Sequence, residues 1–387
     1  MSPIRIGFIG LSTQGWASLG LVQPLFHPLL ASKYTLVALC TRSEASAAAA
    51  AKKYSELAGR EVKAYHGEDG VSQLVHDPEV DLVAVSVKVP DHYAIVMQVI
   101  EAGKDLFVEW TPGNGYEETK KIAEAANAKG IRVLVGAQGY QSLAVKKVKE
   151  LIDTGRIGKV VSTTSSAPQS LVSAKEIRYW GPTPLSSARY LIDISNNTTI
   201  LSIVVGHFLT ILDNVLGEFS EIVGSGTIRF PTGQFVDEDG KPTGEIYHST
   251  VHDQVAVSGV LKGPHKGAFA NVVVRAGVPC SGEQGRGRRM FQWIIDGEEG
   301  SIQVTNREAD GQWGAFFTLT EKDVYLNGEK VPLEETVLEQ LGQAGRAWLE
   351  FAKGDEGQYV TIDDAVRLHR MLDAAQTSIT EGRKIVL

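Results

Sequence analysis

The sequence predicts an α/β domain with a doubly wound parallel sheet, followed by an α+β domain with a large, mostly antiparallel open sheet. Three observations carry this. Short, wholly apolar runs alternate with helix-forming stretches up to about residue 140. A glycine-rich turn closes the first of those runs. Beyond residue 140 the rhythm changes to strand-like segments separated by turn signals. The boundaries are 1–140 for the first domain and 141–387 for the second, with the closing helices returning toward the first. A length of 387 residues suits two domains.

The elements come in this order. IRIGFI (4–9) is a strand ended by Gly10. Residues 16–31 mix apolar and small side chains as a helix on a sheet does, and Pro24 and Pro28 bend or divide it. TLVALC (35–40) is the second strand, and SEASAAAAAKKYSEL after it is rich in strong helix formers. EVKAY, VSQLVHD, DLVAVSV, a helix over 92–102, DLFVEW, a helix over 117–129 and RVLVGA continue the alternation. A helix over 142–154 opens the second domain. VVSTTSSA, EIVGSGTIRF, DQVAVSGVL, GAFANVVVRAG, MFQWIIDG and GSIQVTN then read as strands, interrupted by one helical stretch near 196–216. ETVLEQLGQAGRAWLEFAK and TIDDAVRLHRMLDAAQTSITEG return to helix. Thr361 with Asp364 forms a capping box, and Gly382 is the stop.

The bulk numbers narrow the function. Apolar residues make up 43% and charged residues 22%, and no Lys/Arg block accompanies the net charge of −8. This excludes nucleic acid and an anionic membrane as main partners. The densest basic cluster, Arg286, Arg288 and Arg289, reads as a solvated loop or subunit contact. Cys40 and Cys280 are too few and too far apart for a disulfide framework, which suits a reducing, cytoplasmic compartment. No apolar stretch approaching ~18 residues is expected, hence no membrane span. The sequons at Asn196 and Asn197 would then go unused.

The turn GLSTQG (10–15) comes after the first strand. Gly10 and Gly15 take the first and third glycines of the dinucleotide fingerprint, and Ser12 takes the second. Serine adds a Cβ and a hydroxyl able to bond a phosphate. Thr13, Gln14 and Trp16 complete the loop. The second strand ends Thr41-Arg42-Ser43, with no carboxylate for a ribose 2′-hydroxyl. An arginine and two hydroxyls favour NADP(H), with NAD(H) possible; helix capping is the bland alternative for Arg42. His248, His252 and Asp253 lie on loop and strand, where i,i+4 metal spacing has no helix to act on, so no metal is expected.

Three further strings matter: VSVKVPDHY (85–93), VEWTPGN (108–114) and DISNNTTILSIVVGHFLTIL (193–212). With the Gly155–Val160 turn ahead of the mixed sheet, they resemble the glucose–fructose oxidoreductase/inositol dehydrogenase (Gfo/Idh/MocA) family, and within it the fungal galactose-repressor branch. The resemblance implies a Rossmann first domain. It implies cofactor contacts from Ser86, Lys88, His92, Glu109, Trp110 and Gln138 besides the loop. It places Glu109 and Trp110 where the family's Glu-Lys stands, and His207 where its catalytic histidine stands. The lysine and the two flanking acids are gone, replaced by Trp110, Ile203 and Thr210.

His207 is the leading acid/base candidate, because imidazole titrates near neutrality. A buried structural histidine is the competing reading. Tyr140 and Lys88 are the other catalytic candidates. Trp110, Lys175, Tyr179, Asp193, Asn197 and His207 are the substrate-binding candidates, with packing the alternative for Tyr179 and capping the alternative for Asn197. Three functions stay open: an oxidoreductase on a sugar-like or other small carbonyl or alcohol, a redox-neutral lyase, isomerase or cyclase, and a nucleotide-sensing regulator with a protein partner, for which a nuclear location is open. The resemblance also implies a homodimer or higher oligomer through the second domain's sheet.

Overall fold

The computed structural model describes residues 2–169, 186–237, 239–277, 291–306, 322–333 and 337–387. Lys175, Tyr179, Cys280, Arg286, Arg288 and Arg289 lie outside them. The chain divides into two compact units: residues 1–141 with 335–367, and residues 142–334 with 368–387.

The first unit is built on six parallel strands. They are β1 (Ile4–Ile9), β2 (Tyr34–Thr41), β3 (Lys63–His66), β4 (Leu82–Val85), β5 (Asp105–Glu109) and β6 (Val133–Gly136), in the order β3-β2-β1-β4-β5-β6. β4 and β6 are buried at every position, as strands covered on both faces are. The reversal of order between β1 and β4 makes their carboxyl ends the place where such sheets take ligands.

The stretch after β1 is broken, and the prolines account for it. It runs as a π-turn (Ala17–Leu21), a 3-10 turn (Gln23–Phe26) and the short α1 (Pro28–Ala31). Pro28 excludes the helical conformation at His27, which sits extended at φ −69°, ψ 140°. The regular helices are α2 (Glu44–Ala58), α3 (Gly67–His76), α4 (His92–Glu101) and α5 (Tyr116–Lys129). Gly59 and Gly130 end α2 and α5 in the left-handed conformation.

A later segment completes this unit's core. Trp348 is 1% exposed and packs among Phe8, Tyr34 and Phe107, with ring centroids 6.4, 5.6 and 4.8 Å away. Its indole N–H donates to Leu21 O (3.0 Å), and Tyr34 OH donates to Trp348 O (2.7 Å). Both polar handles of these buried aromatics are thereby satisfied.

The second unit opens on α6 (Leu143–Asp153) and β7 (Val160–Gln169). α7 (Gly206–Leu216) comes next, then β8 (Phe219–Thr227), β9 (Thr232–Val236), β10 (Pro242–His248), β11 (Gln254–Leu261) and β12 (Phe269–Ala276). β13 (Gln292–Gly297), β14 (Ser301–Asn306), β15 (Lys322–Leu326), β16 (Glu329–Val331) and β17 (Ile385–Val386) complete the strands. Nine of them form one sheet in the order β16-β15-β14-β13-β7-β12-β11-β8-β17. Among the described residues, only β7 and β12 pair in parallel within it. β9 and β10 make a separate hairpin in a region read as turn and loop.

Two helices, α8 (Gly342–Phe351) and α9 (Ile362–Glu381), close the chain. The capping box at the start of α9 is present: Asp364 Oδ2 accepts from Thr361 N (2.8 Å) and Thr361 Oγ1 accepts from Asp364 N (3.2 Å).

One expectation is corrected. Ile194–Leu216 is long and apolar enough to cross a membrane by length and composition, with a mean hydropathy of 1.7. In the structure 83% of that window is buried inside the protein, and α7 within it is covered at nine of its positions. A core helix needs no polar face.

Candidate functional site: the carboxyl edge of the parallel sheet

Gly10 has φ +96°, and a Cβ built there would lie 2.1 Å from Ser86 O. No other residue fits this crossing of β1 and β4. Gly15 has φ +87°, and an added Cβ would meet nothing within 4 Å, so the loop's outer edge is open. Ser12 does not present its hydroxyl outward. Its Oγ donates to Gln14 O and accepts from Gln14 N (3.3 Å), which closes the turn on itself. Among the described residues, no protein acceptor faces the amides of Thr13, Gly15 and Trp16.

At the end of β2, Thr41 Oγ1 donates to Ser43 O (3.1 Å), and Ser43 Oγ caps α2 through Ser46 N (3.3 Å). Arg42 between them is exposed and makes no ion pair among the described residues. The capping role falls to Ser43 and leaves the guanidinium of Arg42 to solvent or ligand.

The most built feature stands at the end of β5. Trp16 Nε1 donates to Glu109 Oε1 (2.8 Å). Gln138 Nε2 donates to Oε1 (3.0 Å) and Oε2 (3.1 Å). One carboxylate thereby joins the loop after β1 to the turn after β6. Burial pushes the Glu109 carboxyl up to about 7, while the Trp16, Gln138 and Trp110 backbone donors pull the other way. Gln138, assigned to the cofactor from sequence, is 5% exposed and works on Glu109.

Trp110 is 4% exposed, so its ring is packed rather than spread before a ligand. The Trp110–Thr111 peptide is cis, and Thr111 Oγ1 donates to Gly113 O (2.8 Å). His92 is fully buried and does not reach a ligand. Its Nδ1 lies 2.7 Å from Thr111 O and its Nε2 3.1 Å from Val87 O, tying the segment after β4 to that after β5. Burial holds its pKa below the ordinary value, against the pull of both carbonyls. Lys88 is exposed at the turn after β4, and Ser86 N pairs with Ile9 O (2.9 Å). Tyr140 is half-buried on the turn after β6.

The candidates of the second unit have other work. His207 is 6% exposed on α7, and burial pushes its pKa down to about 3. It is a neutral imidazole at physiological pH, not a group that titrates there. Asp193 Oδ1 accepts from Ser195 N (2.9 Å) and Ser195 Oγ (2.8 Å), capping the turn Ile194–Asn196. Asn197 ends that turn at φ +46°.

Sequence reasoning missed Lys53 and Tyr54 of α2, which reach the loop after β1. The signal was there for Tyr54. Ala47, Ala50 and Tyr54 share one helical face at i, i+3 and i+7, so that face turns inward.

Residues 4–137 match the model of the oxidoreductase family with an NAD-binding Rossmann fold, and residues 144–306 match that of the Gal80p C-terminal domain. The chain is thus similar to the Gfo/Idh/MocA oxidoreductase family in residues 4–137 and to Gal80p in residues 144–306. Residues 4–137 carry the NAD-binding Rossmann fold of that family. The chain is 29% identical over 394 residues to dehydrogenase aclE of Aspergillus oryzae, covering 98% of this chain and 97% of that protein. It is 27% identical over 268 residues to the galactose/lactose metabolism regulatory protein GAL80 of Kluyveromyces lactis, covering 67% of this chain and 56% of that protein. A crystal structure of a Gal80p super-repressor from Saccharomyces cerevisiae superposes with a TM-score of 0.83 at 21% identity, covering 100% and 98% of the two chains, and shows the same fold.

Proposed function

We propose that the chain is an NADP(H)-dependent oxidoreductase acting on a small carbonyl or alcohol compound of sugar-like polarity. The observation that carries this is Glu109: a carboxyl poised near neutrality at the carboxyl end of β5, locked by Trp16 and Gln138. The residues fit a dinucleotide. Gly10 lets the backbone approach, the Thr13, Gly15 and Trp16 amides face no protein acceptor among the described residues, and the exposed Arg42 offers a guanidinium fork to a 2′-phosphate. The nicotinamide, when bound, supplies the hydride exchange. Trp110 stands where the resemblance places a lysine, and an indole moves no proton. A carboxyl titrating near the working pH is suited to take or give the hydroxyl proton of the substrate. The near full-length similarity to a dehydrogenase supports the same reading.

The test is NADPH oxidation followed at 340 nm over a panel of aldoses, ketoses and small ketones. Glu109→Gln should keep NADPH binding and lower kcat by roughly 100-fold or more. Equal turnover in wild type and E109Q would remove Glu109 from the chemistry.

A second reading, a nucleotide-sensing regulator, is favoured by the loss of the lysine and by the match of residues 144–306 to the Gal80p C-terminal domain. NADPH binding without oxidation by any member of the panel, joined to capture of an acidic activation peptide, is its signature. Turnover excludes it as the whole function.

We also propose self-association through the open face of the nine-stranded sheet. The register places Val223, Val260 and Phe269 on one face, and Val223 (46%) and Phe269 (50%) are exposed there. Light scattering should give a dimer or larger species, and Phe269→Glu should shift it toward monomer.

A further inference from the structure

The loop after β1 is fastened from the side by α2. Lys53 Nζ donates to Thr13 O (2.9 Å) and to Ser18 Oγ (3.0 Å). Ser18 Oγ donates to Thr13 O (3.1 Å). The Tyr54 hydroxyl reaches Ser12 O (3.1 Å) and Ser18 Oγ (2.7 Å). Ser18 is 2% exposed and Tyr54 fully buried, so the latch sits under the loop. The carbonyls of Ser12 and Thr13 are thereby drawn toward α2. Among the described residues no carboxylate pairs with the Lys53 ammonium. Its full positive charge stays within hydrogen-bond distance of the loop backbone.

The charge matters because the segment after the loop supplies little of its own. In a dinucleotide fold the phosphates ordinarily meet the N-terminus of a long helix, where aligned peptide dipoles favour an anion. Here that helix is a π-helical piece (Ala17–Leu21) running into a 3-10 piece (Gln23–Phe26), and the extended His27 before Pro28 divides it from the four-residue α1. Its π and 3-10 geometry and its end at the extended His27 leave it shorter and less regular than a long α-helix, so its N-terminal dipole is weaker. An anion at this loop needs its positive charge from elsewhere, and Lys53 is the cation that the fold delivers to the loop backbone.

We propose that Lys53 is the positioning residue of the dinucleotide loop, holding its carbonyls away from the ligand and supplying the positive charge for the diphosphate that the divided helix lacks. This rests on the dinucleotide reading of the site. Tyr54 and Ser18 hold the geometry without contributing charge.

The experiment is calorimetric titration of the full chain with NADPH at 25, 100 and 300 mM salt, for wild type, K53M, K53Q, K53R and Y54F. The aliphatic stem is kept in K53M and only the charge is lost. In K53M and K53Q the Kd should rise at least tenfold at low salt, and its dependence on salt should flatten, because one attraction that salt screens is gone. In K53R both should return to within threefold of wild type. Y54F should weaken binding with the wild-type salt slope. Adenosine, which has no phosphate, should bind wild type and K53M alike. A wild-type Kd and slope in folded K53M would overturn the inference and leave the dinucleotide reading standing. Unfolding of both neutral variants would overturn it as well, since Lys53 would then hold the fold rather than the ligand. Failure of wild type to bind NADPH or NADH would overturn the dinucleotide reading itself.

Discussion

Glu109 and the buried histidines have opposite pH behaviour, and the sign can be worked out for each. Burial raises the Glu109 carboxyl to about 7, above its ordinary value near 4.5. The folded state therefore binds the proton more tightly than the unfolded chain. That stabilisation is present below about pH 4.5 and is lost as pH rises through 7. Burial lowers His207 to about 3 and His369 to about 4 from 6.5. Their contribution is present above pH 6.5 and is lost as pH falls toward 4 and 3, at about 1.4 kcal/mol per pH unit per group. E109Q should gain stability relative to wild type between pH 5 and 7.5 in urea melts. A constant difference across that range would place the Glu109 carboxyl at an ordinary pKa. H207Q should flatten the acid limb between pH 6.5 and 4 by about one proton, and an unchanged limb would show His207 already protonated in the fold. Gly10 is the sharpest backbone case: G10A drives a Cβ to 2.1 Å from Ser86 O and should abolish dinucleotide binding. The glycines of this loop could be read from sequence. The Glu109 environment could not, because its donors lie 93 and 29 residues away in the chain. The buried state of His207 depends likewise on what packs over α7.

Elements were readable where burial is two-sided. β4 and β6 are apolar because both faces are covered, and Pro24 and Pro28 announced the divided stretch after β1. The β9–β10 hairpin was missed because β10 is exposed at every position but Tyr247, so no period of two marks it. The two-residue β17 is too short to leave a pattern. α8 shows how far an element's worth depends on its docking. Its Trp348 fills the space among Phe8, Tyr34 and Phe107 and hydrogen-bonds Leu21 O. Trp348→Ala should cost about 3–5 kcal/mol by chemical denaturation, from the lost apolar contacts and the cavity left behind. A loss under about 1 kcal/mol would mean that α8 is not part of this core. The capping box of α9 is worth less: T361A should cost about 1 kcal/mol.

For the whole molecule, the division of labour between the units reflects the groups each displays. The Rossmann domain carries an open glycine loop, the exposed Arg42 and the Glu109 latch. The second unit places His207 in its core and offers a broad sheet face. The central claim is therefore that the carboxyl edge of the first sheet binds NADP(H), with Arg42 reading the 2′-phosphate. Calorimetric titration of NADPH and NADH into wild type and R42A tests it most directly. Wild type should bind NADPH at least tenfold more tightly than NADH, and R42A should bring the two within threefold by weakening NADPH alone. Tighter binding of NADH by wild type, or the same preference in R42A, would contradict it.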